Sequence, residues 1–324
     1  MANLSNYFRF SIAYFGIAVA VSWAFAPLDM ELLYAGLAAT LNYARVLAKA
    51  LALLLPLILG LAIYAGWGTM RGRIGGALYA AAATVVLQCG FSLLKSSIPF
   101  IVPFWADPYL ETADEWLLGR PAWEVLDVAL PDWTTGILHV LYLAVWTVLA
   151  FATPTVIALT DGDRARVGRA MLLYLFCWIF LGNVVATAFA SVGPVFYDAV
   201  HGGDRFAGLD VVLHHSASAG SMVAATQAYL LEAYQSRSMS FGSGISAFPS
   251  IHVAIATMVA LYVIERVPVL MPVGVGYVLV TFFLSIWTGY HYALDGYASI
   301  LLIFVAWIAL RRFGPFRLAV QKAA

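Results

Sequence analysis

The sequence predicts an all-α integral membrane protein, a polytopic bundle of about six to eight transmembrane helices with one amphipathic helix at the interface. Three observations lead there. Of 324 residues, 63% are hydrophobic and only 10% charged, with a mean hydropathy of +0.89, and a water-soluble domain cannot cover that much apolar surface with so few charges. The apolar residues gather into charge-poor segments of about 17 to 25 residues, the length that crosses the hydrocarbon as helix. Nor do these runs alternate in polarity over about ten residues, as the strands of a membrane barrel would.

In chain order the segments fall at 10–28, 46–67, 75–94, 137–160, 170–192, 250–265, 269–289 and 296–311. The sixth and eighth are short, which leaves open seven spans plus a re-entrant segment. The first is read as a span because no small-residue cleavage site stands out from its Ala-rich surroundings. Cys89 and Cys177 fall inside spans, where an unpaired Cys packs as a small hydrophobe, and no disulfide frame is implied. Two long polar stretches remain, 95–136 and 193–249. In the first, Asp107, Glu111, Asp114 and Glu115 recur at helical spacing beside Trp105, Tyr109, Trp116 and Trp123, which predicts a helix lying in the outer interface. Gln88 and Asn183, within spans, read as interhelical hydrogen-bonding residues. No internal repeat is evident, and the chain reads as one membrane domain, 1–324.

Eight spans sort the loops onto two faces. The face bearing the N-terminus receives Arg9, Arg71, Arg73, Arg164, Arg166, Arg169, Arg266, Arg311, Arg312, Arg317 and Lys322, which is 11 of the 17 basic residues, with only Asp161, Asp163 and Glu265 beside them. Lys and Arg near span ends bias orientation, so this face is expected to be cytoplasmic with both termini inside. The polar stretches then lie outside, in the periplasm or exterior, and His252, His291 and Lys95 share that outer face.

Two short segments there carry chemistry. In TGYHYALDGYA, Asp295 stands four residues after His291, one face of a helix, where a carboxylate fixes the imidazole tautomer and leaves the other ring nitrogen free to attack. In SAFPSIH, Pro249 precedes a helix start, Ser250 can cap it or hold an anion, and the free N–H groups with the helix dipole favour phosphate beside His252. The preceding glycines, Gly242 and Gly244, permit close backbone approach.

PSxH followed about 35 residues later by HxxxD, each at a span end on one face, resembles the type-2 phosphatidic acid phosphatase superfamily, and AFPSIH, GYHYALD and the segment from Pro103 to Trp123 resemble most its inositol phosphorylceramide synthase branch. The resemblance covers roughly residues 85 to 305, a catalytic core to which 1–74 would be accessory. It implies that His291 attacks phosphorus, Asp295 orients it, His252 protonates the departing oxygen, and Ser250 and Lys95 hold phosphoryl oxygens. It implies no metal or other cofactor, a membrane lipid phosphate as substrate, water or an alcohol such as inositol or a sugar as acceptor, and no nucleic acid. Two arginines of the family pattern are missing: Val102 stands where Arg precedes Pro103 in the Lys motif begun by Lys95, and Ser285 stands six residues before His291. Arg237 is the candidate replacement, its planar fork suiting phosphate.

Rival readings are a transporter, which would place ionisable residues near mid-span rather than at span ends, and a metal-dependent hydrolase with His252, His291 and Asp295 as ligands. The adjacent His214 and His215 carry a weaker metal reading, and His139 and His201 have no supporting pattern.

Overall fold

A computed structural model describes residues 2–26, 30–65, 67–125, 132–209, 213, 222–239 and 242–313. His214, His215, Arg317 and Lys322 lie outside the described residues. The helices are α1 (Ala2–Phe25), α2 (Met30–Leu53), α3 (Leu55–Ala65), α4 (Ile74–Ile101), α5 (Asp107–Leu118), α6 (Thr134–Thr160), α7 (Arg164–Ala188), α8 (Pro194–His201), α9 (Met222–Gln235), α10 (Ile251–Arg266), α11 (Met271–Trp287) and α12 (Ala293–Arg312).

Among the described residues six helices are long and apolar enough to cross a membrane: Leu4–Phe25, Ile74–Ile101, Thr134–Thr160, Arg164–Ala188, Pro268–Trp287 and Ala293–Arg312. The protein is an all-α polytopic membrane protein. Its outward faces carry Phe10, Ile17, Leu78, Val275, Leu279, Leu301 and Phe304, all exposed, the apolar surface that lipid covers. A seventh traverse, α10, has only 16 residues and sits at the centre. Val253 to Met258 are all buried, so this helix is apolar on every side because helices surround it.

Side-chain contacts give the helix directions. The Tyr7 hydroxyl bonds Thr84 and that of Ser22 bonds Ser97, so α1 runs parallel to α4. Trp146, midway along α6, lies over His252 at the start of α10, while Arg266 at the end of α10 bonds Thr160 at the end of α6. Glu265 meets Arg169 of α7 and Trp307 of α12. The chain therefore has two distinct ends: one gathers Lys95, His252 and His291, the other the Arg-rich turns.

The structure corrects three boundaries. The second predicted segment, 46–67, is not one helix: α2 begins at Met30, and the helix breaks at Leu54, two residues before Pro56, to restart as α3, since Pro removes a ladder donor and crowds the preceding turn. The third continues seven residues beyond 94 to Ile101, with Pro99 inside it, so Lys95 lies within the helix rather than at its end. The last begins at Ala293, which puts Asp295 in its first turn.

α6 and α7 each contain a π-helical segment, Val140–Val145 and Phe176–Val185. Such wider turns recur at functional sites, and both face the cavity described next.

Candidate active site

His252 and His291 come from separate helices. Ser250 caps α10, its hydroxyl accepting from the Val253 N–H, which fixes His252 in the first turn. His291 occupies the tight connection between α11 and α12, its backbone N–H donating to the Ser285 carbonyl. The two segments are tied together: the Ser250 N–H donates to the Asp295 carbonyl and the Ser299 hydroxyl to the Ser250 carbonyl at 2.8 Å. The imidazole centroids stand 6.1 Å apart with planes at 64°.

Asp295 meets His291 as the spacing predicts. Its Oδ2 lies 3.1 Å from His291 Nδ1 and accepts the Tyr292 N–H at the same distance, so the ring is oriented and Nε2 is the nitrogen the carboxylate leaves unengaged. Burial, with the Lys95 ammonium adding to it, pushes the His291 imidazole down to about 3, so the ring is neutral throughout the physiological range. His252 is held between aromatic rings. Tyr142 stacks on it at 4.5 Å, and Trp146 lies 4.1 Å away and donates its indole N–H to the His252 carbonyl.

Both histidines line a cavity of about 260 Å³ that runs from Tyr290 and Ser246 down past Lys95, Ser92 and Gln88 to Tyr43, Phe151 and Trp178. Lys95 reaches it from α4, its Nζ 5.8 Å from the Phe91 ring centroid. No carboxylate pairs with Lys95 among the described residues. Gly244 explains how the SAFPSIH loop reaches this helix: a β-carbon there would stand 2.5 Å from the Lys95 carbonyl carbon, so only glycine lets the two backbones touch.

The remaining sequence candidates part company here. Ser250 is fully buried as the cap and does not line the cavity. Arg237, exposed at the end of α9, opens into a neighbouring cavity of about 370 Å³ with Ser96, Tyr234 and Ser243, so the structure does not bring it beside the histidines. Nor do the two departures from the family pattern supply a cation: Ser285 is buried with its hydroxyl bonded to the Phe282 carbonyl, and Val102 ends α4. Asn183 accepts from Tyr14 across helices, while Gln88 bonds Tyr174 and also faces the cavity.

Two residues that support the site are read from the sequence only as acids of an interfacial helix. α5 is amphipathic, with Tyr109 and Trp116 exposed, but Asp107 and Asp114 point inward. Asp107 accepts the Val192 and Gly193 N–H groups and the Tyr292 hydroxyl, and lies 3.1 Å from His201 Nε2. Asp114 accepts the Ala293 and Leu294 N–H groups, the free donors at the start of α12. Gly193, at φ +85°, carries the chain between them. A signal existed: Asp107 and Asp114, seven apart, share a face with buried Leu110, whereas solvated acids should oppose the apolar stripe.

Among the described residues no three His, Cys, Asp or Glu side chains are grouped to hold a metal ion. A family profile described as the PAP2 superfamily matches residues 109–309, a segment that holds both histidines and Asp295 but begins beyond Lys95. No curated protein and no solved structure matches the chain.

Proposed function

The chain belongs to the PAP2 superfamily, and from that premise we propose that it is a metal-independent lipid phosphoesterase or phosphotransferase working through a phosphohistidine. Membership supports a phosphatase-type lipid phosphoesterase. The observation that carries the finer reading is the trio around one cavity: His291 held by Asp295, His252 6.1 Å away, and a half-buried Lys95 ammonium without a carboxylate among the described residues. An unpaired charge drawn partly out of water is costly, and a phosphate monoester or diester supplies the missing anion.

The chemistry follows from the groups. Nε2 of neutral His291 attacks phosphorus while Asp295 stabilises the positive charge that grows on the ring. The P–O bond to the lipid breaks, and the departing oxygen takes a proton from His252. Neutral His252 then removes a proton from water or an alcohol as that oxygen attacks phosphorus, releasing His291. Water makes the protein a lipid phosphatase; an inositol or sugar hydroxyl makes it a phosphotransferase that moves the phosphoryl group onto that alcohol, and a transferase of the inositol phosphorylceramide synthase type would instead hold a phosphodiester headgroup on His291 and pass it to a lipid hydroxyl. Lys95 holds phosphoryl oxygens throughout, and Ser250 acts by fixing the turn that carries His252. The concentration of basic residues at the opposite end supports a site facing the periplasm or exterior; a reporter fused at the C-terminus should read cytoplasmic.

The test is to trap the intermediate. Purified protein incubated with radiolabelled lipid phosphate in chelator should retain acid-labile, base-stable label that His291→Ala abolishes. Unaltered labelling in that variant, or turnover lost to chelator alone, overturns the reading. His252→Ala should slow labelling most when the leaving group is a poor one.

A further inference from the structure

The two histidines are held by different means. A carboxylate orients His291, but among the described residues no side chain hydrogen-bonds the His252 ring. His252 is only partly buried, at the wall of the cavity, where a side chain in the first turn of a helix has more than one staggered position open to it. What confines it is α6. Tyr142 and Trp146 are four residues apart and so share a face of that helix. The Tyr142 ring stacks on the imidazole at 4.5 Å with planes 19° apart, and the Trp146 ring lies 4.1 Å away at 33° while its indole N–H donates to the His252 carbonyl at 3.0 Å. One bond fixes the backbone of His252 and two aromatic faces fix its ring. Both aromatic residues are buried and each has a ring neighbour of its own: Tyr290, beside His291, stacks with Tyr142 at 6.3 Å, and Trp178 packs against Trp146 at 6.1 Å. Tyr142 thus has a ring neighbour on each of the two segments that carry the histidines.

We propose that Tyr142 and Trp146 are the positioning residues of the acid step: they aim His252 at the departing oxygen, and do with π faces what Asp295 does for His291 with a carboxylate. This rests on the phosphoesterase reading above. The choice of device follows from the charge each ring meets. His291 becomes positive as it bonds phosphorus, and a fixed carboxylate offsets that charge. His252 starts positive beside an anionic ester and gives its proton to the oxygen that leaves. A carboxylate against it would repel the phosphate and compete for the same proton. The face of an aromatic ring attracts a cation through its quadrupole and adds no net charge, so Tyr142 and Trp146 hold the imidazolium without opposing the substrate.

The experiment reads kcat/KM for phenol release from two lipid-like esters, a dodecylphenyl phosphate and its ring-nitrated analogue, each offered as monoester and as methyl diester. The pair share tail and phosphate and differ in how far the leaving oxygen needs a proton. Tyr142→Leu and Trp146→Leu should each lower kcat/KM on the plain ester by about tenfold, part of the roughly 10²- to 10⁴-fold that a general acid supplies, and on the nitrated ester by less than about twofold. Contacts with the tail and any unfolded fraction cancel in the ratio of the two esters, which is taken within one preparation. Tyr142→Phe keeps the ring and should keep the wild-type ratio to within about twofold. In a His252→Ala background the same substitutions should leave the ratio unchanged, since the residue they position is gone. Equal losses on both esters, or an undiminished effect without His252, overturn the positioning role, while His291-dependent turnover leaves the phosphoesterase intact; turnover that survives His291→Ala, or none of any ester, removes both.

Discussion

Each end of the bundle holds a set of charged groups, and the two sets are arranged on opposite principles. At the Arg-rich end Arg166 meets Asp161 at 2.6 Å, Arg169 meets Glu265, Tyr262 and Trp307 add hydrogen bonds to the same carboxylates, and Arg266 bonds Thr160 and Tyr262. Cations and anions satisfy one another there, and four helices are fastened. At the site end the carboxylates of Asp107, Asp114 and Asp295 face backbone N–H groups, the Tyr292 hydroxyl and the imidazoles of His201 and His291. Lys95 receives none of them. At one end every carboxylate is paired with an arginine, whereas at the other the Lys95 ammonium has no carboxylate among the described residues, which is the difference between a network that holds helices and one that binds an anion.

The largest expected effect separates those two roles by removing one cation from each end. Lys95→Met should lower kcat/KM for a lipid phosphate by about 10²- to 10³-fold, the loss typical of removing a preorganised donor to developing phosphoryl charge, while the melting temperature holds or rises because an unpaired, half-buried charge has gone. Arg169→Met should do the reverse. It leaves Glu265 without its partner, a loss of about 3 to 5 kcal/mol of stability, with kcat/KM of the folded fraction unchanged within a few-fold. If the first variant unfolds while the second stays folded but inactive, the contrast between the ends is wrong.

A smaller effect is expected one layer behind the histidines. Asp107→Asn keeps the shape but weakens charge-assisted bonds to Val192, Gly193 and Tyr292, each worth about 1.5 to 3 kcal/mol. The turn that carries His291 and Tyr292 then loosens, and kcat should fall about tenfold with KM nearly constant, since misplaced catalytic groups slow the chemical step. A variant with unchanged kcat but raised KM would make Asp107 part of the substrate contact instead.

Much of this contrast was legible in the residues alone. The all-α polytopic class, the sharing of one face by His252, His291 and Lys95, and the His291–Asp295 pairing follow from periodicity and from a spacing of four, whereas eight apolar segments overcount the six described helices long enough to span. What composition hides is which way a polar side chain turns. Asp107 and Asp114 look like the wet face of an interfacial helix until the chain from Ala190 to Pro194 and the start of α12 supply the N–H groups they cap. Ser250 and Arg237 illustrate the converse: motif position draws the first toward phosphate and a planar guanidinium the second, but the fold makes one a helix cap and places the other in the next cavity. Long-range backbone donors leave no mark in local sequence, so these residues were the hardest to assign.

The smallest effect tests whether Lys95 and His291 face the same space. The neutral imidazole is the nucleophile, so activity is lost as pH falls through the His291 pKa, which burial and Lys95 together hold at about 3. Removing a nearby positive charge makes protonation easier, hence Lys95→Met should move the acid-side half-point of kcat/KM to higher pH, by about one unit for a charge this close. The shift is read with a soluble aryl phosphate diester, whose own charge does not change in this range. Equal half-points in wild type and Lys95→Met would place the ammonium outside the field of His291 and leave the site end without the cation on which its contrast with the Arg-rich end depends.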